Sequence, residues 1–552
     1  MENETELQIM QISSSYTSLL PGDLSWEGPR DSIAIDISGI RKRICEAGKP
    51  LFVLKDGNNL GVTNEGQVGK SREPGDGKLQ LIACAPALTA EMLGDESFCR
   101  TYGTPYAFYC GAMANGISSE KMLISLGKEG ILGSFGAGGL SLQRIEAAIL
   151  EVKSALPHGP YVFNLLNSPN EPLMEQKTIE LYLTHGIHAI EASAYLLPTV
   201  NLVHYRAAGL SVGENGRIRI GNRIIAKLSR KEIARKFMSP PPGEILKALV
   251  ESGHITEQQA DLAKLVPLAD DITVEADSGG HTDNRPLVCV IPAVLALRDE
   301  IQEKYRYDQP VRVGAAGGIG TPSAAAAALT LGAAYFVTGS INQACIESGT
   351  SDHVHNLLAQ AEMTDVAMAP AGDMFEMGVK VQVLKRGTMF AMRAQKLYEL
   401  YSRYASLDDI PPDEREKLET QVFKSDINSI WNDCYGFFSE HDTKQIERAN
   451  SNPKDKMALV FRWYLGLSSK WSISGEKGRE MDYQIWCSPA MGAFNDWVKG
   501  TFLENPIERR VADINKHILA GCAYMLRVQQ VELQGIRLPA VLKRYLPNRD
   551  LK

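Results

Sequence analysis

Between residues 106 and 339 the chain repeats one pattern. A short run is apolar at nearly every position, a break rich in glycine or polar residues follows, and then comes a longer stretch with apolar residues at helical spacing. The apolar runs fall at 106–113 (YAFYCGAM), 131–136, 161–166 (YVFNLL), 189–193, 223–229 (RIIAKLS), 271–277, 311–316 and 334–339, about eight in all. Between the earlier runs the periodicity predicts helices at 118–127, with Ser118 or Ser119 as N-cap, and at 141–156, 172–185 and 200–208. Strands without in/out alternation belong to a parallel sheet covered on both faces. Regular strand–helix alternation over this length predicts an α/β fold, a (β/α)8 TIM barrel spanning 86–365. An open, doubly wound sheet is the alternative.

Outside this stretch the pattern changes. Residues 1–85 read as an N-terminal extension that is partly β: 50–62 forms two short strands around a turn at 56–58, and 64–78 (NEGQVGKSREPGDGK) reads as an exposed loop. A helical insertion at 231–265 interrupts the barrel and contains the stiff break SPPPG at 239–243. Residues 366–552 read as a large, mostly helical region, with amphipathic stretches at 392–405 and 411–427. This region holds Trp431, Trp463, Trp471, Trp486 and Trp497, which makes it a candidate homodimer surface.

Composition narrows the function classes. The 552 residues are 44% hydrophobic and carry a net charge of −8, which argues against nucleic-acid binding. The acidic start, MENETELQIM, lacks the apolar core of a signal peptide, and no run of about 20 apolar residues exists to span a membrane. Nine cysteines without C-x-x-C spacing read as reduced thiols of a cytoplasmic protein, with no disulfide frame and no metal site. His353 and His355 have no third ligand beside them.

The chemistry concentrates at the ends of the apolar runs. In 274–286 (VEADSGGHTDNRP) a strand breaks into Gly279 and Gly280, which let the backbone pass close to a flat ligand, and His281 follows at that ligand's edge. His281 titrates near neutrality and is the candidate acid–base residue. Lys227 and Asn164 are polar positions at the ends of otherwise apolar strands, the rim where barrels hold cofactors. The small residues of 111–116 suit a planar ring. The turn 314–320 (GAAGGIG) precedes Thr321-Pro322, a helix start whose amides suit a phosphate, and Gly339-Ser340 offers a second set. The run 133–139 (GSFGAGG) fails the G-x-G-x-x-G spacing of a dinucleotide fold.

Together these motifs resemble a family. G-A-M-A-x-G-I at 111–117, Gly-Gly-His at 279–281, Gly-Gly-Ile-Gly at 317–320 and Thr-Gly-Ser at 338–340 resemble the nitronate monooxygenase and FabK-type enoyl reductase superfamily of flavin barrels. Over nearly its full length, including 83–100, 375–386 and 487–498, the chain is similar to the PfaD family. PfaD proteins are trans-acting enoyl reductases of polyketide and polyunsaturated fatty acid synthases. The resemblance implies bound FMN, with its ring near Ala112, Met113 and His281, polar contacts from Asn164 and Lys227, and its phosphate on Gly317, Gly318, Gly339 and Ser340. It also implies NADPH as reductant and enoyl thioesters on acyl carrier protein domains as substrate. On that resemblance the helical region at 366–552 is a candidate cap and docking region. A nitronate monooxygenase-like flavin oxidase is the alternative.

Overall fold

The computed structural model describes residues 10–12, 24–70, 78–167, 172–214 and 216–550. Most of the acidic N-terminal start lies outside them. The expected strands close into a barrel of parallel strands: β1 (Phe108–Cys110), β2 (Leu132–Phe135), β3 (Val162–Leu166), β4 (Ala189–Ser193), β5 (Arg223–Leu228), β6 (Asp271–Glu275), β7 (Arg312–Ala316) and β8 (Phe336–Thr338), with β8 pairing back onto β1. The open-sheet alternative is thereby excluded. Helices α1 (Glu120–Lys128), α2 (Leu142–Ala155), α3 (Pro172–Thr184), α4 (Val200–Ala208), α5 (Lys231–Met238), α6 (Leu287–Tyr305) and α7 (Pro322–Thr330) follow the first seven strands. Hydroxyl caps start several of them: Ser119 accepts from the Met122 amide, Ser141 from Arg144, Thr199 from Leu202 and Thr321 from Ala324. The insertion after α5 adds two helices, Gly243–Glu251 and Glu257–Ala263, beyond the predicted proline break.

The N-terminal end of the barrel is plugged by buried polar groups. Arg312 Nε and Nη2 donate to the two oxygens of Asp271 at 2.6 and 2.7 Å, and Tyr102 Oη donates to Asp271 at 2.5 Å. One layer higher, the hydroxyls of Tyr109 and Tyr335 meet Thr273 at 3.1 and 2.9 Å. Phe98 and Tyr102, on the helix Glu96–Tyr102 that precedes β1, stack over the Arg312 guanidinium.

The N-terminal extension is a five-stranded antiparallel sheet ordered Asn59–Thr63, Leu51–Asp56, Leu79–Ala85, Leu24–Glu27, Gln67–Lys70, with Trp26 fully buried in its own small core. The segment expected as an exposed loop at 64–78 therefore supplies a strand at Gln67–Lys70. All four residues of that strand are exposed, which hides it from a hydrophobicity pattern, and 71–77 lie outside the described residues.

Residues 366–552 are not helical throughout. Strands Val366–Pro370 and Lys380–Leu384 form a small sheet with Gly280–His281. Helices α8 (Ile427–His441) and α9 (Pro453–Ser474) pack with Phe390–Arg403 around Phe423, Phe461 and Tyr464. The long helix α10 (Val511–Leu533) returns to the barrel and packs between α7 and α1, where an eighth barrel helix belongs. Arg527 on α10 donates to the Ile44 carbonyl and Gln534 to that of Cys84, so this helix also fastens the N-terminal sheet. The five C-terminal tryptophans are buried or half-buried within the chain.

Replacing Arg312 with Met strands the fully buried Asp271 carboxylate. Loss of one partner of such a pair costs about 3–5 kcal/mol, so the thermal midpoint falls sharply. The double variant Arg312→Met/Asp271→Leu recovers most of that loss. Thermal unfolding of both variants checks this; a single variant as stable as the wild type contradicts the assigned role.

Candidate active site

At the opposite, C-terminal end the strand ends converge on a cavity of about 690 Å³. Ala112, Met113, Asn164, Lys227, Gly279, Gly280 and His281 all line it. The register explains the grouping. Ser193 pairs with Lys227, and Lys227 with Thr273, so Glu191 and Glu275 lie diagonally on either side of Lys227, on β4 and β6. Lys227 Nζ stands 3.3 Å from Glu191 and 3.5 Å from Glu275. Burial opposes its charge, but the two carboxylates outweigh that and hold its pKa above the ordinary value. Glu191 is fully buried and also accepts the Ala112 amide at 3.1 Å. The Asn164 amide group donates to the Glu191 carbonyl and to Ser193 Oγ, each at 3.0 Å, which fixes the side chain with its carbonyl oxygen left to accept.

His281 leaves the barrel on a strand of its own. Gly280 and His281 pair antiparallel with Gln382 and Val381, and Gly280 takes φ +87°, which favours glycine. The pairing sets His281 Nε2 3.1 Å from Asp373 Oδ1. Burial opposes the protonated ring. The hydrogen bond and charge of Asp373, helped by Glu275, overcome it and hold His281 above its ordinary 6.5. The same contact holds Asp373 below the ordinary carboxylate value, again against burial. Because the folded-state pKa of His281 is raised, this pair adds stability below about pH 6.5, and the gain fades as pH rises through the folded value.

Gly317, Gly318, Gly339 and Ser340 stand beside the cavity and do not line it; Gly279 lies between. A Cβ on Gly279 would sit 3.0 Å from Ser340 Oγ and 3.0 Å from the Cys487 amide nitrogen. Ser340 Oγ meets Ser488 Oγ at 3.1 Å. Gly318 has φ +73° with open space where a side chain would lie, and Gly339 faces open space too. Gly317 serves packing: a Cβ there would meet the Ala276 carbonyl carbon at 2.8 Å. Gly138 and Gly139, from the run that fails the dinucleotide spacing, line the cavity as well.

Sequence reasoning did not find Glu191, Glu275, Ser193 or Asp373. Glu191 and Glu275 were legible as charges within strands, the same signal that marked Lys227. Asp373 carried none, since it lies 92 positions beyond His281. The roof was also missed: α8 and α9 bring Phe437, Phe438, Leu459, Trp463 and Arg462 over the cavity, and Trp486 closes one side. Of Lys385, Arg386, Arg393 and Lys396, basic positions of the helical region that could suit an acidic partner, Arg386 pairs with Asp365, Arg393 with the buried Asp482, and Lys396 with Glu414.

Residues 106–399 match the family model described as nitronate monooxygenase. Residues 26–87 match the N-terminal domain of the fatty acid synthase protein PfaD, and 404–483 the inserted helical domain of acyl-carrier-protein S-malonyltransferase. A polyunsaturated fatty acid synthase component of Thraustochytrium sp. is 45% identical over 508 residues, 91% of this chain and 33% of that protein. The polyketide biosynthesis protein PksE of Bacillus subtilis is 48% identical over 440 residues, 80% of this chain and 57% of that one. The chain thus spans well under two thirds of either relative. The crystal structure of the enoyl reductase domain of MlnA, from the macrolactin biosynthesis cluster of Bacillus amyloliquefaciens, superposes with a TM-score of 0.76 at 41% identity, covering 80% of this chain and 99% of that one. A closed barrel with this rim and these matches defines an enoyl-reductase-like member of the nitronate monooxygenase family. Over most of its length it is also similar to components of polyketide and polyunsaturated fatty acid synthases, with a PfaD N-terminal domain match at 26–87.

Substituting Asp373 with Asn removes the charge that raises His281. The His281 pKa then falls, and histidine-ring NMR titration, assigned against His281→Ala, reads the shift. An unmoved or higher value contradicts the pairing.

Proposed function

We propose that this protein is an FMN-dependent enoyl reductase that uses NADPH to reduce 2-enoyl thioesters presented on acyl carrier protein domains, acting in trans in the cytoplasm. The observation that carries the reading is the His281–Asp373 pair, set at the edge of a cavity whose floor is a glycine-rich barrel rim. The residues present fit a flavin mononucleotide. The cavity volume lies in the range of cofactor pockets. Small residues at Ala112, Gly279 and Gly280 leave room for a flat ring. Gly318, Gly339 and the hydroxyls of Ser340 and Ser488 offer a neutral, open cradle suited to a phosphate.

When bound, FMN supplies the two-electron chemistry that carries hydride from NADPH to the β-carbon of the enoyl thioester. The chain's own residues do the rest. Asn164 would offer the ring its fixed carboxamide oxygen, Ala112 would leave room beside it, and Lys227, held between Glu191 and Glu275, would supply a donor. The raised pKa of His281 favours the protonated imidazole toward neutral pH, which suits a donor that protonates the substrate α-carbon. The second reading keeps one support, the nitronate monooxygenase model over 106–399.

Anaerobic stopped-flow spectroscopy at the flavin absorbance separates the readings. NADPH bleaches the wild type, and crotonyl-pantetheine restores the colour. Bleaching restored only by O2 gives the oxidase, and protein that neither retains nor binds flavin removes the cofactor. His281→Ala binds flavin normally and bleaches, but its reoxidation by the thioester slows by about 10²–10⁴-fold. Reoxidation at the wild-type rate contradicts the donor role. In the wild type that step slows as pH rises through the His281 pKa, and in Asp373→Asn the descent moves to lower pH.

A further inference from the structure

The cavity has two chemically unlike halves. Its barrel half presents backbone turns, Lys227, Glu275 and the His281–Asp373 pair. Its other half, built by α8 and α9, presents Cys434, Phe437, Phe438, Leu459, Trp463 and Leu465. Burial pushes the Cys434 thiol up to about 12, so it stays neutral and behaves as an apolar surface. Arg462 also lines this half, with Nε donating to the Gly372 carbonyl at 3.0 Å and Nη1 to Glu376 at 3.2 Å. Phe437 and Phe438 meet edge to face with centroids 5.1 Å apart, and Phe437 is 48% exposed although it lines the cavity. A large aromatic ring left that open at a cavity wall is surface for an apolar ligand to cover.

We propose that α8 and α9 form the subsite for the hydrocarbon tail of the acyl chain, so that chain-length preference resides in the helical region and not in the barrel. The proposal rests on the reductase reading and adds to it the region that selects the substrate. Hydride transfer fixes the enoyl carbons beside the barrel rim. The tail beyond them needs an unbroken apolar surface, and on the barrel half Met113, Leu166 and Val381 are interrupted by Lys227, Glu275, His281 and Asp373. Each methylene moved from water onto such a wall tightens binding by about fourfold, so a long tail gains far more than a crotonyl group. The wall's polar edge, Asp433 and Lys470, is exposed, which keeps the apolar part inside.

The test uses the full-length, flavin-loaded protein and two variants, Phe437→Ala and Leu459→Trp. Phe437 is exposed enough for its truncation to leave the fold intact. Leu459→Trp narrows the wall at a residue 3% exposed. The kcat/KM for dodec-2-enoyl-pantetheine is measured against that for crotonyl-pantetheine, together with the Kd for saturated dodecanoyl-pantetheine, which cannot be reduced. The expected result is a wild-type preference for the long chain, with the dodecenoyl-to-crotonyl ratio falling about tenfold in Phe437→Ala and at least as much in Leu459→Trp. The Kd for dodecanoyl-pantetheine rises in parallel. A ratio unchanged in both variants, or no long-chain preference in the wild type, overturns the subsite and leaves the reductase reading standing. If the wild type reduces neither thioester, the reductase reading fails. The Kd then judges the subsite alone: weakening in Phe437→Ala supports it, and an unchanged Kd overturns it.

Discussion

The site depends on a two-residue pairing. Gly280 and His281 form a short antiparallel ladder with Gln382 and Val381, outside the barrel's own strands. Other bonds hold the flanks of this segment, Gln382 on Asp277 before it and Ser229 and Arg230 on Asp283 after it. The ladder gives His281 a set orientation. The strand it joins carries Val366–Pro370 on its other edge, and Gln382 accepts the Cys487 amide at 3.3 Å. Asp373 sits in the connection between those two rim strands and so arrives opposite His281.

Buried charge is used differently at the two ends of the barrel. At the N-terminal end Arg312 and Asp271 form a bidentate pair that Tyr102 joins, and beside it the buried Asp270 pairs with both Arg206 and Arg223. At the C-terminal end one cation, Lys227, lies between two carboxylates, with the His281–Asp373 pair nearby. Desolvating an unequal set of charges is costly unless the geometry is tight. The strand register supplies that geometry by fixing Glu191, Lys227 and Glu275 on neighbouring strands. The N-terminal end sets three arginines on two aspartates inside packed structure, and the C-terminal end keeps groups with shifted protonation facing a cavity.

The helical region is joined to the reactive end by specific bonds. Arg462 on α9 holds the Gly372 carbonyl, next to Asp373. Asn115 on the first barrel turn donates to Ser469 on α9 at 3.4 Å. The roof and the histidine–carboxylate pair are thus braced together, while Asn515 on α10 bonds Thr338 at the end of β8 and Asn342 just beyond it.

The sequence alone determined the barrel. Continuous apolar runs alternating with helical periodicity, and hydroxyl or proline caps such as Ser119, Ser141 and Thr321-Pro322, depend on neighbours within a few residues, so they can be read along the chain. The same locality exposed His281 after two glycines, and Lys227 and Asn164 as polar breaks in apolar strands. Only the tertiary structure decided what those residues face. Glu191 and Glu275 flank Lys227 through strand register, and Asp373 reaches His281 through a sheet whose partners are distant in sequence. Phe437, Leu459 and Trp463 look like ordinary core positions of amphipathic helices, because the periodicity that buries a side chain is the same whether it meets a packed core or an open cavity. Long-range pairing leaves no periodic trace, and for that reason the chemistry of the floor was legible in the sequence while its acid–base partner and its roof were not.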